Sequence, residues 1–206
     1  MLVINGSGHT TGSDTKSVKQ EISRSSYWQD FLTDDDTGDR ITGITHSVNL
    51  LQLAADTYQV QVTGLKLGTY ALLIAPFSHD GSPQATSSIP GIAEPGSVST
   101  FQIKYSPDMG AIPETARIVT FQGTLRDITD SLKLGLIDDV GIVNALSAKI
   151  HAAAEAVAEH ESDDAKEVLK SFKNQVSAQT GKHITGVAPQ VLQEDADSLI
   201  SQLPKK

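Results

Sequence analysis

The hydrophobic pattern of the chain changes period near residue 110. Upstream, apolar residues alternate with polar ones between short Gly-, Pro- and Ser-rich stretches. Downstream they recur every three or four residues through Ala-, Lys- and Glu-rich segments. A period of two buries one face of a strand, and a period of 3.6 buries one stripe of a helix. The fold class expected is therefore α+β in two domains. An antiparallel β-sandwich, Ig-like or jelly-roll-like, would occupy residues 1–107, a linker 108–123, and a small antiparallel four-helix bundle 124–206.

In the first half the clearest strand is Asp56 to Thr63, with Tyr58, Val60 and Val62 on one face. Thr69 to Ile74 follows after a Gly-bounded connection, with Tyr70, Leu72 and Ile74 in phase, and the two read as a hairpin. Ser97 to Tyr105 is a further strand, and Val48 with Leu50 to Leu53 fits one that pairs before Tyr58. Asp80-Gly81-Ser82-Pro83, Pro90-Gly91 and Pro95-Gly96 read as turns. Val3-Ile4 is expected at a sheet edge, Val18 to Ile22 as another strand, and Tyr27 to Leu32 as a helical turn or an aromatic-bearing loop under the sheet.

In the second half Leu125, Ile128 and Leu132 open a helix that Gly135 would stop. Ile142, Leu146, Ile150, Ala153 and Val157 form the stripe of a second, capped by Asp138 or Asp139. Ala165, Val168, Leu169, Phe172 and Val176 mark a third, with Ser162, Asp163 and Asp164 as capping candidates and Gly181 at its end. A fourth starts near Thr185, tolerates Pro189 only in its first turn, and buries Leu192, Ala196, Leu199 and Leu203.

The formal net charge of −9 disfavours both nucleic acid and anionic membrane surfaces as partners. With no cysteine, the chain has no disulfide, thiolate metal site or cysteine nucleophile. No stretch reaches the ~20 apolar residues that a membrane span needs. The N-terminal residues lack the features of a signal peptide, which reads either as a cytoplasmic protein or as an excised fragment beginning at Met1.

Chemistry is sparse. Asp34-Asp35-Asp36-Thr37-Gly38-Asp39 is the one concentrated set of oxygen ligands, so Asp34, Asp36 and Asp39 are the candidate metal ligands and calcium the one ion they suggest. The plain alternative is a solvated acidic turn, since the EF-hand glutamate is missing. Tyr27 and Trp28, with Phe31 nearby, are candidates for a ligand-binding aromatic platform, against the commoner role of aromatics in a core. Ser78, His79 and Asp80 are adjacent without triad spacing, and the remaining histidines show no metal-binding pattern. No organic cofactor and no catalytic residue is expected.

The segment Phe172-Lys173-Asn174-Gln175-Val176-Ser177-Ala178-Gln179-Thr180-Gly181-Lys182-His183-Ile184-Thr185 is similar to the F-x-N-x-V-x-A-Q-x-G-K-x-[IL]-T pattern of the FIMAH domain, a small helical module. Gly141-Ile142-Val143-Asn144-Ala145-Leu146-Ser147-Ala148-Lys149-Ile150 resembles a second signature of that family. The β half, through generic features such as Thr11-Gly12-Ser13-Asp14 and Gly68-Thr69-Tyr70, looks like modules found upstream of such bundles. The resemblance implies a non-catalytic accessory or interaction module of a larger extracellular or surface-attached bacterial protein. Its partners would be the other domains of that protein and an extracellular glycan or protein ligand. Calcium-dependent adhesion or carbohydrate binding by the β module is the alternative, and glycoside hydrolysis by an Asp/Glu pair the weakest.

Overall fold

The structure is a computed structural model and describes residues 1–31, 36–38 and 43–204. It is α+β, as expected, with antiparallel sheets preceding four helices. Two compact units are present, and the chain passes between them more than once. The first comprises Met1–Thr63, Ala75–Thr86 and Phe101–Thr115; the second comprises Gly64–Ile74, Ser87–Thr100 and Ala116–Lys206.

The first unit is organised by a short strand, β1 (Leu2–Ile4), which pairs with β2 (Thr10–Ser13) on one side and β6 (Asp56–Thr63) on the other. The expectation of an edge position for Val3-Ile4 is thus corrected. Val3 lies opposite both Thr11 and Val60, so the three point to one face, and all three are buried. Gly12 permits this pairing: it sits at φ +130°, and a Cβ there would lie 2.2 Å from the Met1 carbonyl oxygen. With β3 (Val18–Gln20), β9 (Val98–Tyr105) and β10 (Glu114–Ile118), the sheet order is β10-β9-β6-β1-β2-β3.

A second sheet of the same unit joins β4 (Ser25–Asp30) to β5 (Thr45–Leu50) and packs on β2 and β3. Tyr27 and Trp28 therefore lie on a strand, not in a helical turn or loop. Strand β5 pairs with β4, not with the strand of Tyr58. Where the two sheets meet, Thr11 Oγ1 and Ser25 Oγ lie 2.7 Å apart, and Ser25 Oγ donates to the Ile22 carbonyl at 2.6 Å. These buried hydroxyls satisfy one another, as a dry interface requires.

In the second unit β7 (Gly68–Ile74) pairs antiparallel with β8 (Ser87–Ala93), Gly68 opposite Ala93 and Ile74 opposite Ser87. The expected hairpin between the strands of Tyr58 and Tyr70 is not formed, because β6 pairs with β1 in the other sheet. Pro90-Gly91, expected as a turn, lies inside β8. The reason is steric: Gly91 faces Tyr70, and a Cβ there would come within 2.1 Å of the tyrosine ring. The glycine makes room for the aromatic residue on the neighbouring strand.

Strand β8 packs on α1 (Phe121–Lys133) and α4 (Ala188–Gln202), and α2 (Val140–Ala158) and α3 (Ser162–Gln179) complete the bundle. Helix α1 is capped by Thr120, whose hydroxyl accepts from the Gly123 amide at 3.0 Å, and α2 by Asp139, which accepts from Gly141 at 2.6 Å. Two expected helix starts move. Ser162 lies inside α3, with Asp163 and Asp164 in the first turn where negative charge suits the exposed amides. Helix α4 begins at Ala188, which leaves Pro189 in the first turn. Residues 108–123, expected as a linker, contain β10 and the N-terminus of α1.

Candidate functional site

Of the expected metal ligands, Asp34 and Asp39 lie outside the described residues, and Asp36 is an exposed turn residue. Among the described residues no group of three or more His, Asp or Glu side chains is placed to hold a metal ion.

Tyr27 and Trp28 fall on opposite faces of β4. Tyr27 points toward the packed side, its hydroxyl 2.8 Å from His46 Nδ1 and accepting from Gln29 Nε2 at 2.7 Å. The Tyr27 and His46 rings stack with centroids 6.1 Å apart. Burial holds the His46 imidazole below its ordinary pKa. Trp28 faces outward and is 41% exposed, so core packing does not account for it. Ser47 lies directly opposite, with Ser26, Asp30, Thr45 and Asn49 on the same face. An indole ringed by hydroxyl, amide and carboxylate groups can stack on an apolar face of a ligand while its neighbours hydrogen-bond the edges.

Ser78, His79 and Asp80 form a turn. Asp80 Oδ1 accepts from the Ser82 amide and from Ser78 Oγ, each at 3.0 Å, and Gly81 takes φ +85°. The Ser82 amide holds the Asp80 carboxyl below its usual range. His79 Nδ1 is 3.2 Å from the Pro107 carbonyl, so the serine–histidine contact of a triad is not made.

The densest charge of the second unit was not foreseen. Arg117, near the end of β10, is buried between Asp127 of α1 and Asp195 of α4. Its Nη2 donates to Asp127 Oδ2, and its Nη1 lies 3.0 Å from Asp195 Oδ1. The strand is also held through its backbone: Ser198 Oγ donates to the Arg117 carbonyl at 2.5 Å, and Gln202 Nε2 donates to the Val119 carbonyl at 3.0 Å. Two carboxylates face one guanidinium; the Arg117 Nη1–Asp195 Oδ1 contact is an ion pair without hydrogen-bond geometry, and Asp127 Oδ1 and Asp195 Oδ2 likewise make no hydrogen bond. A signal existed in the sequence. Asp195 falls on the same stripe as Leu192, Ala196 and Leu199, and Asp127 adjoins Ile128 on that of α1. A polar residue at a core position of an amphipathic helix needs a buried partner.

Burial pushes the Asp195 carboxyl well above the ordinary 3.8, and the neighbouring Asp127 adds to this against the opposing pull of Arg117. Burial raises Asp127 as well. Arg117 is desolvated too, yet Asp195 and Asp127 hold its pKa above the usual value. A carboxyl raised in the folded state contributes stability that is complete below 3.8 and is lost as pH rises through its folded value. The helical unit should therefore lose stability as pH rises above the ordinary carboxyl range and through the raised folded value of Asp195, and Asp195→Asn should flatten that slope in a series of thermal melts. Asp14, in the first unit, works in the opposite sense. The Ser17 and Lys16 amides lower it to about 2, so its contribution is present above 3.8 and lost as pH falls toward 2.

These features define a class: a β-rich region followed by a four-helix domain whose ionisable cluster is closed into the fold and not displayed in a cleft. Residues 124–201 match the family model of the FIMAH domain. That family is one of non-catalytic accessory domains, typical of bacterial surface proteins. The match covers less than half of the chain, so the family is assigned to those residues alone. Neither a comparison with curated proteins nor one with solved structures gives a match.

The geometry explains the family pattern. Phe172, Val176 and Ile184 are fully buried in the bundle core. Gly181 takes φ +75°, and the Gln179 carbonyl accepts from the amides of Lys182, His183 and Ile184 at 3.1 Å each. The Thr185 amide donates to the Leu136 carbonyl at 2.8 Å. These residues build a turn and a core.

Proposed function

We propose that the chain is a non-catalytic accessory module of a larger extracellular bacterial protein. In this reading the helical domain is a folded spacer, and the outward face of β4 and β5 presents a binding surface to an extracellular glycan or protein ligand. The observation that carries the accessory role is the FIMAH match, together with the use of its pattern residues for folding. Among the described residues, no helix is long and apolar enough to cross a membrane.

The ligand role rests on Trp28, exposed on a regular strand among polar neighbours. Pyranose rings offer an apolar face that an indole covers and hydroxyls that Ser47 and Asn49 can bind. The test is a glycan array and a polysaccharide pull-down with the wild-type chain and Trp28→Ala. Loss of the aromatic should weaken retention roughly tenfold or more, the scale on which one dominant aromatic contact governs a small interface. The melting temperature should change less than for a core aromatic, because Trp28 is 41% exposed. No retention of the wild-type chain on any glycan, and an unchanged signal in Trp28→Ala, would leave the spacer role alone.

A further inference from the structure

The helical domain carries two buried carboxylates whose partner comes from outside the residues that its family model matches. Asp127 and Asp195 lie within 124–201; Arg117 does not. A pair of carboxylates on facing helices is costly to bury without a cation. Their side chains are only 1% and 0% exposed, so solvent cannot supply one. Lys133, the nearest basic residue along α1 toward its C-terminus, is committed to Asp130 at 2.7 Å and Glu94 at 3.3 Å.

We propose that the α1–α4 face of the FIMAH-type domain is a guanidinium socket, and that it recognises and fastens an arginine-bearing extended segment, here residues 116–120 of the same chain. The guanidinium suits the position because its planar fork addresses two carboxylates at once, which a lysine ammonium does not. The socket also reads the backbone of the segment. Ser198 Oγ donates to the Arg117 carbonyl and accepts from the Val119 amide at 3.3 Å, and Gln202 Nε2 donates to the Val119 carbonyl. Side-chain and main-chain contacts two residues apart fix both register and direction. The specificity is thus for an extended strand with arginine at one position, and the helical domain is incomplete without it.

Chemical rescue tests this in the full chain. Arg117→Ala leaves a cavity lined by Asp127 and Asp195 that a free guanidinium ion can fill. Adding about 20 mM guanidinium chloride should raise the melting temperature of Arg117→Ala by about 2–4 °C while leaving the wild type unchanged or lower. Equal concentrations of sodium chloride or methylammonium chloride should not do so. If Arg117→Ala does not fold, recovery of its helical circular dichroism by guanidinium and not by methylammonium is the same result. Arg117→Lys gives a second readout, because it keeps the charge and loses the fork. Hydrogen exchange at the Val119 amide should be faster than in the wild type by roughly tenfold, because weaker local contacts lower the free energy of local opening. Rescue by all three salts, or by none, would overturn the socket, as would equal Val119 protection in Arg117→Lys and the wild type.

Discussion

Arg117→Met is expected to destabilise the helical unit by about 3–5 kcal/mol, the range for breaking a buried ion pair and leaving its partner unpaired. Methionine preserves most of the apolar stem and its packing, so the loss isolates the charge. Asp127 and Asp195 would then face each other without a cation, in a site from which both are excluded from water. A melt followed by far-ultraviolet circular dichroism should show a fall on the order of 10 °C. Replacing the whole cluster, as Arg117→Met with Asp127→Leu and Asp195→Leu, should recover most of the loss, because well-packed apolar groups commonly equal a buried ionic triad. A single variant as stable as the wild type would mean that the cluster is not stabilising the fold through charge.

Phe172→Ala should cost about 3–5 kcal/mol. The ring is fully buried on α3, among the largest side chains of a bundle core that includes Leu146, Leu169 and Val176. Its removal takes away both the transfer free energy of the ring and the contacts of the atoms around it, since a packed core relaxes only in part. The phenylalanine opens the segment by which the chain resembles the FIMAH family. A large loss of helical stability, with β4 and β5 unaffected, would mark the pattern as structural in purpose. Urea unfolding followed at 222 nm measures it.

The helical half was legible because one stripe per helix decides its burial. Ile142, Leu146, Ile150 and Ala153 could be picked out by spacing alone, the pair Asp138-Asp139 marked one helix start, of which Asp139 is the cap, and Gly181 marked one helix end. The end of α2 was harder to place, because His160 takes the left-handed position, φ +64°, where glycine is the usual signal. Strand positions were legible in part. Asp56–Thr63 matches its expected bounds, since Tyr58 and Val60 are buried in alternation. Strand partners were not, because pairing is set by contacts distant in sequence. Thus β6 pairs with β1, fifty residues or more away, and β7 pairs with β8 through a strand that contains Pro90 and Gly91.

The candidate sites divide in the same way. The exposure of Trp28 could not be read from composition, because a tryptophan more often serves a core than a surface and only the strand's facing decides. The Arg117 cluster was hidden for a related reason. A strand arginine and two helical aspartates, spread over 79 residues, meet only once folding brings Arg117 between α1 and α4.

The FIMAH-type helices of this chain share one compact unit with β7, β8 and the segment from Ala116 onward that carries Arg117, and should unfold with them. Hydrogen exchange of the full chain in sub-denaturing urea tests it most directly. Protection at residues 70–73, 88–92 and 117–119 should be lost together with that of α1 and α4, as one cooperative opening. Early, independent exchange of the β7–β8 ribbon and of residues 117–119, with α1 and α4 still protected, would contradict it.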